Sequence, residues 1–271
     1  MSYRPRVNDF LERYGRWAVI TGASSGIGAE FARQLAERGL SLVLVARRRD
    51  RLDALAAELV AKYGIEVFVA ERDLAAPGSV DALVAEVGAR DVGLLVNNAG
   101  FGMKGGFFEL ALSEQRRMIE LNCQVPVALT HTLGRRIVDR GRGGIVFTAS
   151  AAAFQGMPGT AVYAGTKSFD LLFGEGLWGE LRGRGIDVLT LCPGSTDTEG
   201  PKRTGVNPDR VPGKMMKVEP VVRTALRALG KRPSVIPGGL NKAAQFLTRL
   251  LPRRFSTVMA GRMIERVTRP S

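Results

Sequence analysis

Residues 16–21, Arg-Trp-Ala-Val-Ile-Thr, form a short apolar run that passes directly into Gly22-Ala-Ser-Ser-Gly-Ile-Gly28 and then into a helical pattern reaching Arg38. A strand, a glycine-rich turn and a helix start, in that order, constrain the fold more than any other stretch of the chain. Unpaired N–H groups of a first helical turn and the helix dipole point at one place, which makes an anion site. Glycines at such a turn let a dinucleotide pyrophosphate approach the backbone, and the flanking strand and helix make an otherwise ordinary glycine cluster a strong signal. Gly22, Ser24, Ser25, Gly26, Ile27 and Gly28 are therefore candidate cofactor residues.

The alternation continues. Residues 41–46 read as a buried strand ending in Arg47-Arg48-Arg49. In dinucleotide-binding folds an acid at this tip binds the ribose diol, whereas arginine accommodates a 2′-phosphate. No acid stands there, since Asp50 and Asp53 fall inside a helical pattern over 50–63, so Arg47 and Arg48 favour NADP(H) over NAD(H). A third strand over 65–70 is followed by Asp73-Leu74, near the expected place of an adenine ring, and a helix over about 77–89 leads to a strand at 92–96 and to Asn97-Asn98-Ala99-Gly100. One helix is expected over 113–140, with Asn122 in an apolar stretch; its His131, without an acid partner at helical spacing, reads as structural. A strand over 144–149 closes at Ser150, a helix covers 160–184, and a strand over 186–192 ends in Pro193-Gly194-Ser195-Thr196-Asp197-Thr198. This alternation predicts an α/β, Rossmann-type, doubly wound parallel sheet with helices on both faces, with every motif at the carboxyl edge of the strands.

Tyr163 and Lys167, four residues apart on the 160–184 helix, leave one face a turn apart. A free phenol is a poor acid–base group at neutral pH, and a neighbouring ammonium favours its ionised form. With Ser150 at the adjoining strand end, this is the place to expect proton transfer. Phe169, Leu172, Phe173, Leu177 and Leu181 continue the helix as an apolar stripe, whereas Gly174, Gly176 and Gly179 weaken it in isolation, which calls for tertiary or subunit packing and fits a homo-oligomer.

Residues 200–217 are rich in Gly, Pro, Lys and Arg without periodicity and read as a long mobile loop, a candidate substrate lid. A helix over 218–229, a short strand over 234–236 and two amphipathic pieces broken at Pro252 complete the chain. One domain is expected over residues 1–271, with a core at about 15–200, the lid at about 200–217 and a C-terminal helical extension at about 238–271. The net charge of +13 is confined to the end: residues 1–200 hold 23 basic and 23 acidic side chains, residues 201–271 hold 16 and 3. That excess is either a solvated face or an attraction to an anionic membrane surface or acidic carrier. No nucleic-acid module accompanies it, so nucleic acid is not an expected partner. No apolar run is long enough to span a bilayer, and the charged first 17 residues do not read as a secretory signal, so a cytoplasmic location is expected. Cys123 and Cys192 lack ligand spacing, which argues against a metal site.

Together, Thr21-Gly22-x-x-x-Gly26-x-Gly28, Asn97-Asn98-Ala99-Gly100, Asn122, Ser150, Tyr163-x-x-x-Lys167 and Pro193-Gly194 resemble the short-chain dehydrogenase/reductase family in its compact single-domain form, over roughly residues 15–200. The resemblance implies hydride transfer between a nicotinamide and a carbonyl or alcohol, with Tyr163 as general acid in reduction and base in oxidation. It further implies that Lys167 stabilises the Tyr163 phenolate and holds the nicotinamide ribose, that Ser150 bonds the substrate oxygen, and that Asn122 holds a water linking Lys167 to solvent. Asn98, Ala99 and Gly100 would flank the cofactor, and Pro193 and Gly194 with Thr196 and Thr198 would meet its carboxamide. The uncharged segment after Ser150, with Phe154 and Met157, and Met215 at the end of the lid, suits an apolar ketone, aldehyde or 3-oxoacyl substrate. A non-catalytic NADP-binding regulatory or scaffold protein is the alternative, and the intact Asn122, Ser150, Tyr163 and Lys167 set argues against it.

Overall fold

A computed structural model describes residues 7–211 and 215–268. In chain order the elements are α1 (Val7–Tyr14), β1 (Trp17–Thr21), α2 (Gly26–Ala36), β2 (Ser41–Ala46), α3 (Arg49–Tyr63), β3 (Val67–Glu71), α4 (Ser79–Val87) and β4 (Val92–Asn97). There follow α5 (Leu112–Ile119), α6 (Val125–Asp139), β5 (Gly143–Thr148), α7 (Ala161–Leu181), β6 (Ile186–Leu191), α8 (Glu199–Arg203), α9 (Val218–Ala228), β7 (Ser234–Val235), α10 (Gly239–Leu250) and α11 (Arg253–Thr268).

The seven strands form one parallel sheet in the order β3-β2-β1-β4-β5-β6-β7. Helices cover both faces, which is why β1, β2, β4 and β6 are buried along their whole length and read as unbroken apolar runs. Side chains alternate between two cores: Ile20, Leu42, Leu44, Leu94 and Val146 pack on one face, and Val19, Val43, Leu95, Ile145 and Phe147 on the other. Strand order reverses between β1 and β4, and the crevice at such a switch point is where α/β sheets bind ligands.

Four features depart from the sequence reading. The expected helix over 113–140 is interrupted by a π-helical turn, Glu120–Gln124, centred on Asn122. Such a bulge leaves the hydrophobic periodicity nearly intact and is frequent at functional sites. The expected loop over 200–217 carries α8 and a 3-10 turn, Pro208–Arg210, and returns to the sheet edge through a parallel bridge between Thr196 and Met216. Long-range partners rather than local periodicity hold it, and its residues 212–214 lie outside those described, as do residues 269–271 of the C-terminal extension. Helix α1 went unpredicted; Tyr14 Oη donates to Asp187 Oδ2 at 2.7 Å, and Arg13 makes a two-pronged bond to the same carboxylate at 2.6 Å per contact, pinning α1 to the start of β6. Within α7 only Gly174 serves close packing, and its neighbour is the sheet: a methyl there would lie 2.1 Å from Thr190 Oγ1, whereas Gly176 and Gly179 have nothing within 4 Å.

Helices α10 and α11, separated by Pro252 as expected, lie over residues 151–160. Among the described residues no helix is long and apolar enough to cross a membrane.

Candidate active site

The glycine turn is a cradle that side chains would fill. Gly22 and Gly26 have φ of 69° and 57°, a region costly for other residues. A methyl at Gly28 would stand 2.3 Å from Gly22 O and 2.5 Å from Asn98 Nδ2. The tips of β1 and β4 are stitched together across the switch point: Thr21 Oγ1 accepts from Asn98 N and Ala99 N, both at 2.9 Å, and Asn98 Nδ2 donates to Thr21 O at 3.0 Å. Ser25 precedes α2 in extended conformation without capping it through its side chain. Its hydroxyl instead accepts from Arg48 Nη2 at 2.8 Å, and Ser24 Oγ accepts from the same guanidinium at 3.0 and 3.2 Å. Of the two arginines expected at the β2 tip, Arg48 thus faces the glycine turn, whereas Arg47 is exposed.

Arg48 Nη1 also donates to both Glu199 oxygens, at 2.8 and 3.1 Å, and Arg51 pairs with the same carboxylate. Hydrogen bonds from Arg51 and then Arg48 hold the Glu199 carboxyl below the usual carboxylate range, against the opposing effect of burial. Next to it Thr198 reaches the glycine turn, its Cγ2 lying 2.9 Å from where a methyl on Gly26 would sit. Pro193 O accepts from Ala151 N at 2.8 Å, Thr196 Oγ1 donates to Gly194 O at 3.0 Å, and a methyl on Gly194 would meet Asn241 of α10 at 2.6 Å. Asp73 Oδ1 accepts from Ala75 N at 3.2 Å and Oδ2 pairs with Arg117, beside the buried Leu74. A glycine cradle at a helix start and a cation at the β2 tip together fit a nicotinamide dinucleotide.

The residues expected to transfer protons gather at the tips of β4 and β5. Lys167 is buried; its Nζ donates to Thr148 O at 2.8 Å and to Asp170 Oδ2 at 2.9 Å. Burial pulls the Lys167 pKa down, but the charge of Asp170 and then of Tyr163 more than restore it, so the ammonium stays protonated. Burial in turn pushes the Asp170 carboxyl up, opposed by Lys167, and Asp170 Oδ1 has no hydrogen-bond partner among the described residues. Asn122, fully buried in the π-turn, donates from Nδ2 to Phe101 O at 2.9 Å and to Thr166 Oγ1 at 3.0 Å, while its Oδ1 accepts from Phe101 N at 3.1 Å. Gly100 joins these groups: a methyl there would lie 3.0 Å from Asn122 Oδ1 and 3.4 Å from Lys167 Nζ. The ring of Tyr163 stands over Gly102, where a methyl would be 3.0 Å from Cδ2. Ser150 is extended ahead of a 3-10 turn, Ala151–Phe154, and its Oγ accepts from Ala152 N at 3.1 Å.

A shallow depression of only about 10 Å³ beside Tyr163 is lined by Met103, Phe107, Leu110, Met118 and Val162. Phe154, half-buried, stacks under the guanidinium of Arg249 at 5.3 Å, and Met157 is half-buried in the same segment. Met215 is also half-buried, but its neighbour Met216 makes the recorded contact with α10, where Sδ accepts from Asn241 Nδ2 at 3.4 Å.

The family model described as short chain dehydrogenase matches residues 16–207. The chain belongs to the short-chain dehydrogenase/reductase family. It is an oxidoreductase of that family, with its nicotinamide-binding fold. A 7beta-hydroxysteroid dehydrogenase of Collinsella aerofaciens is 30% identical over 236 residues, 85% of this chain and 89% of that protein. A very-long-chain 3-oxoacyl-CoA reductase of Laccaria bicolor is 37% identical over 186 residues, 67% of this chain and 55% of that protein. Among solved structures, a short-chain dehydrogenase from Sphingobium yanoikuyae in complex with NADPH superposes with a TM-score of 0.76 at 35% identity, covering 87% of this chain and 96% of that one.

In this short-chain dehydrogenase, three site-forming side chains escaped the sequence reading. Asp170 stands three residues after Lys167 on one helix face, a spacing that a search for carboxylates near the ammonium would have flagged. Thr21 opens the glycine motif quoted above without a role of its own there, although it ends its strand as the only polar residue. Glu199 meets Arg48 across 151 positions of sequence, and no local pattern signals it.

Proposed function

We propose that this oxidoreductase uses NADP(H) to reduce an apolar ketone, aldehyde or 3-oxoacyl compound, or to oxidise the corresponding alcohol. The observation that carries the reading is the convergence of the buried Lys167 and Asn122 on Gly100, with Tyr163 over nearby Gly102, one strand tip from the glycine cradle. Gly22, Gly26, Gly28 and the first turn of α2 would hold the pyrophosphate, and Arg48 with Ser24 and Ser25 the 2′-phosphate. The bound nicotinamide supplies or accepts the hydride.

In reduction the carbonyl carbon gains a hydride while Tyr163 Oη gives its proton to the carbonyl oxygen. Ser150 Oγ already accepts from Ala152 N, which leaves its O–H free to donate to that oxygen as charge develops there. Two of the three Lys167 N–H bonds are committed to Thr148 and Asp170, so the third is available for a ribose hydroxyl. Asn122's carboxamide is spent on Phe101 and Thr166, so a proton-relay water would rest on its main-chain carbonyl or the second lone pair of Oδ1.

The uncharged walls near Tyr163 support an apolar substrate, and the hydroxysteroid and very-long-chain 3-oxoacyl names of the relatives point the same way. Leu172, 68% exposed, shares the outer face of α7 with the neighbour-free Gly176 and Gly179, which supports pairing with a second copy there. The test is a carbonyl panel run with NADPH and NADH in parallel, for wild type and Tyr163→Phe. Tyr163→Phe is expected to bind NADPH with unchanged Kd while kcat falls by roughly 10²–10⁴-fold. Equal turnover by both proteins, or activity confined to small charged keto acids, would overturn the reading.

A further inference from the structure

Helix α10 is docked inside out. Its inward face is polar: Asn241 Nδ2 donates to Pro237 O at 3.0 Å, Gln245 Nε2 donates to Ala151 O at 3.1 Å, and Thr248 turns the same way. Its apolar residues face solvent, with Leu240 75%, Phe246 64%, Leu247 59% and Leu250 68% exposed. A surface helix of a globular domain ordinarily does the reverse. The apolar surface continues beyond Pro252 on α11, where Phe255, Met259 and Met263 are each about half exposed. With Leu251 and Val258, these large apolar residues are all between 39% and 75% exposed, and so many on two consecutive helices mark an interaction surface rather than scattered exposure.

Charge identifies the occupant. Residues 239–268 carry Lys242, Arg249, Arg253, Arg254, Arg262 and Arg266 against a single acid, Glu265. All six cations are exposed. A second copy of the chain on this face would set like charges against one another, whereas an anionic surface would neutralise them. Lys242 and Arg249 border one edge of the apolar arc of α10, Arg249 lying over the Phe154 ring, and Arg253 and Arg254 stand at the turn into α11. Cations bordering an apolar stripe match a helix lying in a lipid headgroup layer, with the arginine and lysine stems running along the boundary. The same two helices form the outer wall of the segment after Ser150: Gln245 bonds Ala151, Thr257 lies against Gly156, and Pro158 lies against Gly261.

We propose that α10 and α11 seat this protein on an anionic lipid surface, with the segment after Ser150 turned toward the membrane. This rests on the exposed surface alone and holds whatever the substrate proves to be. The experiment is flotation of full-length protein with vesicles of pure phosphatidylcholine and of phosphatidylcholine with 30% phosphatidylglycerol, at low and high salt, with light scattering of the free protein alongside. Wild type is expected to float with the anionic vesicles and to be released by salt. Arg253→Glu/Arg254→Glu is expected to lose at least about tenfold in partitioning, given roughly 1 kcal/mol per cation near such a surface. Phe246→Ser/Leu250→Ser is expected to lose binding as well, with circular dichroism and NADPH affinity unchanged in both variants. Equal, salt-insensitive behaviour with the two vesicle types would overturn the proposal. So would a dimer that Leu247→Arg dissociates while wild type ignores vesicles, or retention by an acidic soluble protein without vesicle binding.

Discussion

Glu199 occupies, from within the chain, the guanidinium that a 2′-phosphate would use. Replacing it by Gln keeps the shape and removes the charge. Arg48 and Glu199 side chains are 37% and 34% exposed and Arg51 is 46% exposed, so each pair is strongly screened. Ion pairs of that exposure contribute about 0.5 kcal/mol each, and the two together about 1 kcal/mol. If a cofactor phosphate has to take Arg48 from Glu199, the one pair it breaks is worth about 0.5 kcal/mol, and Glu199→Gln tightens NADPH binding about twofold. NADH lacks the phosphate and should bind Glu199→Gln as it binds wild type. Cofactor fluorescence titrations at 50 mM and 0.5 M NaCl separate the cases, because screening at the higher salt should shrink the NADPH gain. Equal changes for NADPH and NADH, or weaker NADPH binding, would refute competition for Arg48.

Two further outcomes follow from buried carboxylates. Asp170 leads the groups that together outweigh the burial pulling the Lys167 pKa down, so Asp170→Asn lowers that pKa and the ammonium is lost at lower pH. The alkaline limb of kcat/KM against pH should therefore move to lower pH in Asp170→Asn; an unmoved limb would show that Asp170 does not act through Lys167. Asp187→Ala leaves the buried Tyr14 hydroxyl without its acceptor, a loss of about 1–3 kcal/mol, and frees the half-exposed Arg13 at a further ~0.5–1 kcal/mol. Thermal unfolding should then shift down by roughly 3–7 °C, and an unshifted transition would mean that α1 adds no stability through this contact.

Much of the architecture was legible because it is written locally. Buried parallel strands are apolar along their whole length, and each is closed by the polar tip that the site uses: Gly22, Arg48, Asn98, Ser150 and Pro193. Tyr163 and Lys167 sit one helical turn apart, so periodicity alone puts them together. The π-turn was hidden, because a single extra residue in a wider turn barely disturbs the apolar spacing on either side. Amphipathicity predicted α10 and α11, but a periodic pattern says only that a helix has two faces, not which one meets the core. Here the polar one does. Contacts such as Arg48 with Glu199 or Arg13 with Asp187 join residues more than 140 positions apart, and only the closed sheet brings them within reach.

The Asp187 clamp has a consequence of another kind. It lies at the first turn of β6, on the amino rim of the sheet, while Ser150, Lys167 and Pro193 lie at the carboxyl rim. A six-residue strand such as β6 separates the rims by about 20 Å. Perturbations beyond about 10 Å with no shared partner usually add independently. The molecule is thus divided by function along its strands: one rim can be hardened, by lengthening α1 or multiplying its contacts to β6, without retuning the chemistry at the other.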